Sequence, residues 1–297
     1  MGWRIIYIEE AKGVRLYLDN IKIEKETCDV TIPLSDIYTL VIDNQMVTIT
    51  VPLIVKCSEY NINLIFCSME HTPMSIVTPI SGNFQSAMML KKQIEWDSNL
   101  KGIIHQKIIK NKIENQLSLL KHFNLSTFTI SKLVDFSYEV YPFDSTNREG
   151  LSAKMYFREL FGEKFKRFDE DVVNAGLNYG YSLLRSQISK TIIAKGLNPS
   201  LGIFHKGYNN PYNLSDDIIE VFRPLIDEYV YSKLVDALIF KRENRLELIA
   251  CTAKEAYICG KKQSLFNVIK IYLEKIIECF EENNPDIYEP VRLVYEL

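Results

Sequence analysis

Two periods of apolar residues run along this chain, and the change from one to the other falls near residue 82. Before it, Val14, Leu16 and Leu18 alternate with Arg15 and Tyr17, and Ile21 and Ile23 alternate with Lys22 and Glu24. That is the period of half-buried strands, and Asp19-Asn20 between the two runs is a turn signal, so a hairpin is predicted. Residues 3–8, 30–33, 38–42, 63–67 and 75–78 continue in β-branched and aromatic residues. Residues 52–59 read as a short helix with Pro52 at its first position. Ser81-Gly82-Asn83 punctuates the change of regime. From Phe84 onward the spacing is helical: Ile103, Ile104, Ile108, Ile109, Ile113, Leu117 and Leu120 mark one long amphipathic stretch, broken only at Gly102. Further helices are expected at about 127–140, 148–162, 169–195, 215–223 and 225–239, and in the tail after Cys251. The pattern predicts an α+β fold in two domains, a small β-domain over 1–82 and a larger all-α domain over 83–297.

Composition changes this picture little. At 297 residues and 47% hydrophobic, the chain can bury the cores of two domains. It has no apolar run of about eighteen residues, so no membrane span is expected. The opening MGWRIIYIEEAKG carries an acidic pair and no small-residue cleavage site, unlike a signal peptide, and a cytoplasmic location is expected. The six cysteines form no CxxC pair and read as reduced packing residues. A net charge of −3 argues against coating DNA by bulk electrostatics. It leaves room for a local basic groove, and Lys154, Arg158, Lys164, Lys166 and Arg167, then Lys190, Lys195 and Lys206, are clustered enough to form one or simply a solvated face.

The candidate chemistry gathers in GLNPSLGIFHKGYNNPYNLSDDIIEVFRPLID, residues 196–227. His205 lies in a loop rich in Gly, Pro and Asn, and a short acidic helix follows with Ser215 as its expected N-cap. Asp217, Glu220 and Arg223 share one face of that helix, which Pro224 should kink or end just after Arg223. Polar clusters of this kind bind metal or handle phosphate. Upstream, Glu149 stands in Asn147-Arg148-Glu149-Gly150, at the head of another helical run, where an acid is ordinary for helix stability. His71 reads as a loop residue, and His105 and His122 as surface or satisfied core histidines. If Glu149 and Glu220 converge, two carboxylates about 4 Å apart repel by roughly 4 kcal/mol at an effective dielectric near 20. Arg148 and Arg223 could relieve that as a plain ion-pair network, and so could a divalent cation.

Taken together these stretches resemble the CRISPR-associated spacer integrases, the catalytic endonuclease subunit of the CRISPR adaptation machinery. The likeness lies in Glu149-Gly150 with Tyr156-Phe157, in Asn178 to Tyr181, in Gly196-Leu197-Asn198-Pro199, in Gly202 to His205, and in Asp217 to Glu220 with Phe222-Arg223-Pro224. Length and layout look most like the type II branch. The resemblance implies an N-terminal β-sandwich that dimerises and docks a partner, followed by a helical catalytic domain. It implies Glu149, His205 and Glu220 as catalytic metal ligands, with Asp217 as an accessory acid. Two oxygens and one imidazole suit Mg²⁺ or Mn²⁺, and the lack of thiolates or a HExxH pair argues against zinc. The implied activity is insertion of a short foreign DNA duplex at the leader end of a CRISPR repeat, each 3′-hydroxyl attacking one strand. Arg148, Lys206 and Arg223 are candidate phosphate clamps, and Tyr156 and Tyr181 candidate stacking platforms. The implied partners are DNA, a second copy of the chain and a small ferredoxin-like adaptation subunit bridging two dimers. In type II systems the effector nuclease and a DNA-end-binding ring protein are added.

Overall fold

A computed structural model describes residues 2–79 and 83–295. It divides into two compact units, Met1–Gly82 and Asn83–Leu297. Of the predicted punctuation, Ser81 and Gly82 lie outside the described residues.

The first unit runs β1 (Arg4–Ile8), β2 (Gly13–Tyr17), β3 (Asn20–Glu24), β4 (Val30–Pro33), β5 (Ile37–Ile42), β6 (Thr48–Ile49), α1 (Val51–Glu59), β7 (Asn63–Cys67) and β8 (Pro73–Val77). One sheet has the order β1-β5-β7-β8, the other β4-β3-β2-β6. In the first, β1, β5 and β7 are parallel and only β8 is antiparallel. Every residue of β5 is buried, which is why its sequence IYTLVI, apolar but for Thr39, shows no alternation. Ile8, Leu40, Ile42 and Leu64 of this sheet share one core with Val14, Ile21 and Ile23 of the other, and Leu53 and Cys57 of α1 join it. The hairpin turn lies one residue earlier than the sequence reading: Tyr17 pairs with Asn20, and the two turn residues are Leu18 and Asp19, at φ 46° and 55°. Asn20 contributes from the strand side, its amide donating to the Tyr17 carbonyl at 3.2 Å.

The second unit contains α2 (Ser86–Ile94), α3 (Ser98–His122), α4 (Thr127–Tyr138), α5 (Arg148–Phe161), α6 (Val172–Ala194), α7 (Asn213–Ile219), α8 (Arg223–Leu234), α9 (Arg242–Cys251), β9 (Glu255–Ile258), β10 (Lys261–Ser264), α10 (Leu265–Glu281) and β11 (Arg292–Leu293). The break in the long amphipathic stretch is not at Gly102 but before Asp97, whose carboxylate caps α3 by accepting the Leu100 amide at 2.8 Å. Gly102 sits inside α3 for close packing, since a Cβ there would lie 2.8 Å from the Phe143 ring. Likewise a Cβ on Gly180 of α6 would collide with Ile226 of α8. Sequence periodicity did not mark α9 or the small sheet of order β10-β9-β11. The region of 213–225 also differs from expectation. Ser215 is no N-cap: it is buried within α7, its hydroxyl 2.8 Å from that of Ser189 on α6. Pro224 does not end a helix but stands in the first turn of α8, where its missing N–H is unneeded.

Candidate metal centre

Three elements of the helical unit bring charge together. Before α5, Asn147 takes a left-handed φ of 52°, and the Asp144 carboxylate accepts the amides of Arg148 at 2.8 Å and Glu149 at 2.9 Å. This caps α5 and fixes Glu149 in its first turn, where the helix dipole favours an anion. Lys112, on the buried face of α3, reaches Glu149 Oε1 with its ammonium at 2.7 Å. The same ammonium meets Glu220 Oε2. Glu220 follows directly on α7, is only 5% exposed, and accepts from Arg223 Nε at 2.9 Å through Oε1. Oε2 meets the ammonium as an ion pair without a well-directed hydrogen bond.

The electrostatics follow from this arrangement. Burial alone would push the Glu220 carboxyl up, but Arg223 and Lys112 outweigh it and hold it down at about 2. For Lys112 burial pulls the other way, and Glu149 and Glu220 outweigh it, so the ammonium stays charged in an apolar setting. The Arg223 guanidinium is likewise held charged by Glu220 against the cost of its burial.

Asp217 organises the neighbouring loop. Buried in α7, it accepts the backbone amides of Ile203 at 2.6 Å, Phe204 at 3.1 Å and His205 at 3.1 Å, and it meets His205 Nδ1 at 2.7 Å. Gly202 leaves room for this, because a Cβ there would stand 2.8 Å from Asp217 Oδ2. The bond to Asp217, outweighing burial, raises the His205 imidazole above its ordinary range. With Nδ1 committed, Nε2 is the nitrogen left for a ligand or a reacting oxygen. Phe204 stacks on His105 at 4.0 Å between ring centroids, and His105 is buried with an Nδ1 that has no hydrogen-bond partner. His205 and Lys206 border a cleft of about 710 Å³ that Lys101, Asn210 and Asn213 also line.

The other predicted residues divide. Lys206 is exposed on that cleft. Arg223 lines a second cleft of about 810 Å³ together with Arg167 and Asn178. Arg148 is turned to Glu139, 2.9 Å away. Tyr156 is fully buried and donates to Asp227 at 2.8 Å, which removes it as a platform for a base. Tyr181 is also buried, bonds the same carboxylate, and lies under the guanidiniums of Arg223 at 4.6 Å and Arg167 at 5.4 Å. Burial pushes the Asp227 carboxyl up to about 6 despite both hydroxyls.

Glu149, His205 and Glu220 do not close into a compact triad. Among the described residues, the ligand atoms that lie within 4.8 Å of one another are those of Glu9, Asp43 and His71 in the first unit. There Asp43 follows β5, and His71, in the turn before β8 at φ 61°, meets it through Nδ1 at 2.9 Å. In the helical unit Lys112 fills the space that a cation between Glu149 and Glu220 would take. The residues nonetheless fit a divalent ion: two carboxylates already share one cation, and a histidine is oriented by a carboxylate on its far nitrogen, as metal-binding histidines are. Sequence reasoning missed Lys112. Its only signal is a charged residue among Ile108, Ile109 and Ile113 on the apolar face of a helix.

The profile described as "CRISPR associated protein Cas1" matches residues 6–250. A relative from Neisseria meningitidis serogroup C, named CRISPR-associated endonuclease Cas1, is 35% identical over 227 residues, covering 76% of this chain and 74% of its own. The solved structure of a CAS1 protein from Thermotoga maritima superposes with a TM-score of 0.74 at 17% identity, covering 99% of both chains. A casposase bound to integration product gives a TM-score of 0.73 at 17% identity, covering 96% of this chain and 92% of that one. At such identities the structural likeness is one of fold. The match over most of the chain and the Neisseria relative show more: this chain belongs to the Cas1 family of CRISPR-associated proteins.

Proposed function

We infer that the chain is a metal-dependent DNA endonuclease and integrase of CRISPR adaptation, which inserts short foreign duplexes at the leader end of a repeat array. The observation that carries this reading is the pair of carboxylates, Glu149 and Glu220, gathered around one ammonium, with a carboxylate-oriented histidine lining a cleft of the same unit. Family membership and a fold shared with a casposase support it. Glu149 and Glu220 would hold Mg²⁺ or Mn²⁺ through oxygen and His205 through Nε2, with Asp217 holding the ring in place. Such an ion, when bound, supplies a Lewis acid for a phosphodiester oxygen.

The remaining work falls to the chain. Arg223 and Lys206 are placed on two clefts to bind phosphate, and of these Arg223 is the more rigidly held, through Glu220 and the face of Tyr181. The joining step forms a bond between the incoming 3′ oxygen and phosphorus, its hydroxyl proton passing to solvent, and breaks the bond from phosphorus to the 3′ oxygen of the target strand. The departing oxygen needs a proton, and in this reading His205, which lines the cleft, serves through Nε2 as metal ligand or as that donor. Partners in this reading are DNA, a second copy of the chain through the β-domain, and a small ferredoxin-like subunit bridging two dimers. Incubation with Mn²⁺, a labelled short duplex and a supercoiled repeat-bearing plasmid tests it. Covalent transfer of label to the plasmid is expected. Fragments alone would make the chain a nuclease that does not integrate, and wild-type transfer by Glu149→Ala, His205→Ala and Glu220→Ala would remove the site.

A further inference from the structure

We propose that Lys112 is a built-in cation that competes with the divalent ion for the space between Glu149 and Glu220. The inference rests on the metal site described above and concerns how that site is filled. The side chain of Lys112 is only 9% exposed, and its ammonium touches one oxygen of each carboxylate, the place a bridging ion would take. Lys112 and Arg223 together balance Glu149 and Glu220, so a divalent ion added to all four would leave excess positive charge in a buried place. Loading the ion therefore requires the ammonium to withdraw, and a lysine stem of four flexible carbons allows this without moving the helix. The scaffold does not depend on the bridge. Asn115 donates to the Val221 carbonyl at 2.9 Å, tying α3 to the segment beside Glu220, and Asn111 donates to the Val291 carbonyl at 2.8 Å, tying it to the C-terminal segment. Lys112 thus keeps the two carboxylates together and, with Arg223, balances their charge when no ion is present, and it sets the concentration at which an ion replaces it.

Calorimetric titration of the full chain with Mn²⁺ tests this, comparing wild type with Lys112→Met. The proposal expects the variant to bind Mn²⁺ about tenfold more tightly, and its melting temperature to rise more than the wild type's at the same Mn²⁺ concentration. If Lys112→Met does not fold, Lys112→Gln, which keeps a neutral donor for one carboxylate, is titrated in its place. A second readout uses the wild type alone: acetylation of the Lys112 amine by acetic anhydride, followed by mass spectrometry, should increase when Mn²⁺ is added. Unchanged or weaker Mn²⁺ binding in the variants, or Lys112 labelling indifferent to Mn²⁺, overturns the proposal. Glu220→Gln separates the readings. Loss of Mn²⁺ binding there with no change in Lys112→Met sinks the competition alone, whereas binding indifferent to Glu220→Gln sinks the metal site and the competition with it.

Discussion

Two groups of two acids and a histidine stand in this molecule, one in each unit, and they differ in what surrounds them. Glu9, Asp43 and His71 have their ligand atoms within 4.8 Å of one another, near the ends of parallel strands, with the His71 side chain 46% exposed. Glu149, Glu220 and His205 are less tightly gathered, yet a buried lysine and a half-buried arginine hold Glu220, and Asp217 fixes the histidine and its loop. Buried charge is costly to keep unless it is paired, and here the pairing of Glu220 engages both Lys112 and Arg223. Proximity of ligand atoms alone would choose the first group, whereas the charge balanced in the second is what supports it as the proposed site.

Activity should separate the two groups most sharply. Glu220→Ala should lower strand transfer by about a thousandfold or more, because it removes a proposed ligand and leaves Lys112 and Arg223 without their shared anion. Asp43→Ala in the first unit should leave strand transfer within a few-fold of wild type when measured at equal folded concentration. A similar loss in both would erase the distinction. Stability comes next. Urea unfolding of Glu220→Ala without metal should show a loss of about 3–5 kcal/mol at pH 7, as expected when one partner of a buried ion pair is deleted. Because the Glu220 carboxyl is held near 2, below its ordinary value, its contribution is present above about pH 4.5 and is lost as pH falls towards 2. The wild type and Glu220→Ala should therefore converge in acid.

A smaller effect concerns His205. Its imidazole is raised by the bond to Asp217, so the stability that the charged ring contributes is complete below its ordinary value of about 6.5 and fades as pH rises through the folded value. The gap in urea midpoint between wild type and His205→Gln should shrink from pH 6 to pH 9; a gap that grows would contradict the assigned pair. Smallest of all, Tyr156→Phe should cost about 1–2 kcal/mol through its bond to Asp227 and leave strand transfer near wild type. A large loss of DNA binding would restore Tyr156 as a contact.

How much of this could be read in the sequence depended on the range of the interaction. Period-two and helical spacing placed most strands and helices because those patterns are local. Gly102 and Pro224 misled because breaking a helix is not their only use: one makes room for Phe143, the other stands in the first turn of α8. Ser215 has the chemistry of a cap but is taken by Ser189, twenty-six residues away along the chain. Glu149, Glu220 and His205 could be named from their motifs, but not the lysine that joins two of them. Lys112 meets Glu149 across thirty-seven residues, and in the sequence it is one lysine among several on a long helix. Its position on the apolar face was the available sign, and a charge there means a buried partner.

The central claim is that Glu149, Glu220 and His205 hold one divalent ion at the place Lys112 occupies. Crystals of the full chain soaked in Mn²⁺ and measured at the manganese absorption edge test it most directly. The account predicts an anomalous peak about 2.1 Å from an oxygen of each glutamate and from His205 Nε2, with the Lys112 ammonium moved aside. A peak confined to Glu9, Asp43 and His71, with Lys112 still bridging the glutamates in protein that joins DNA, would contradict it.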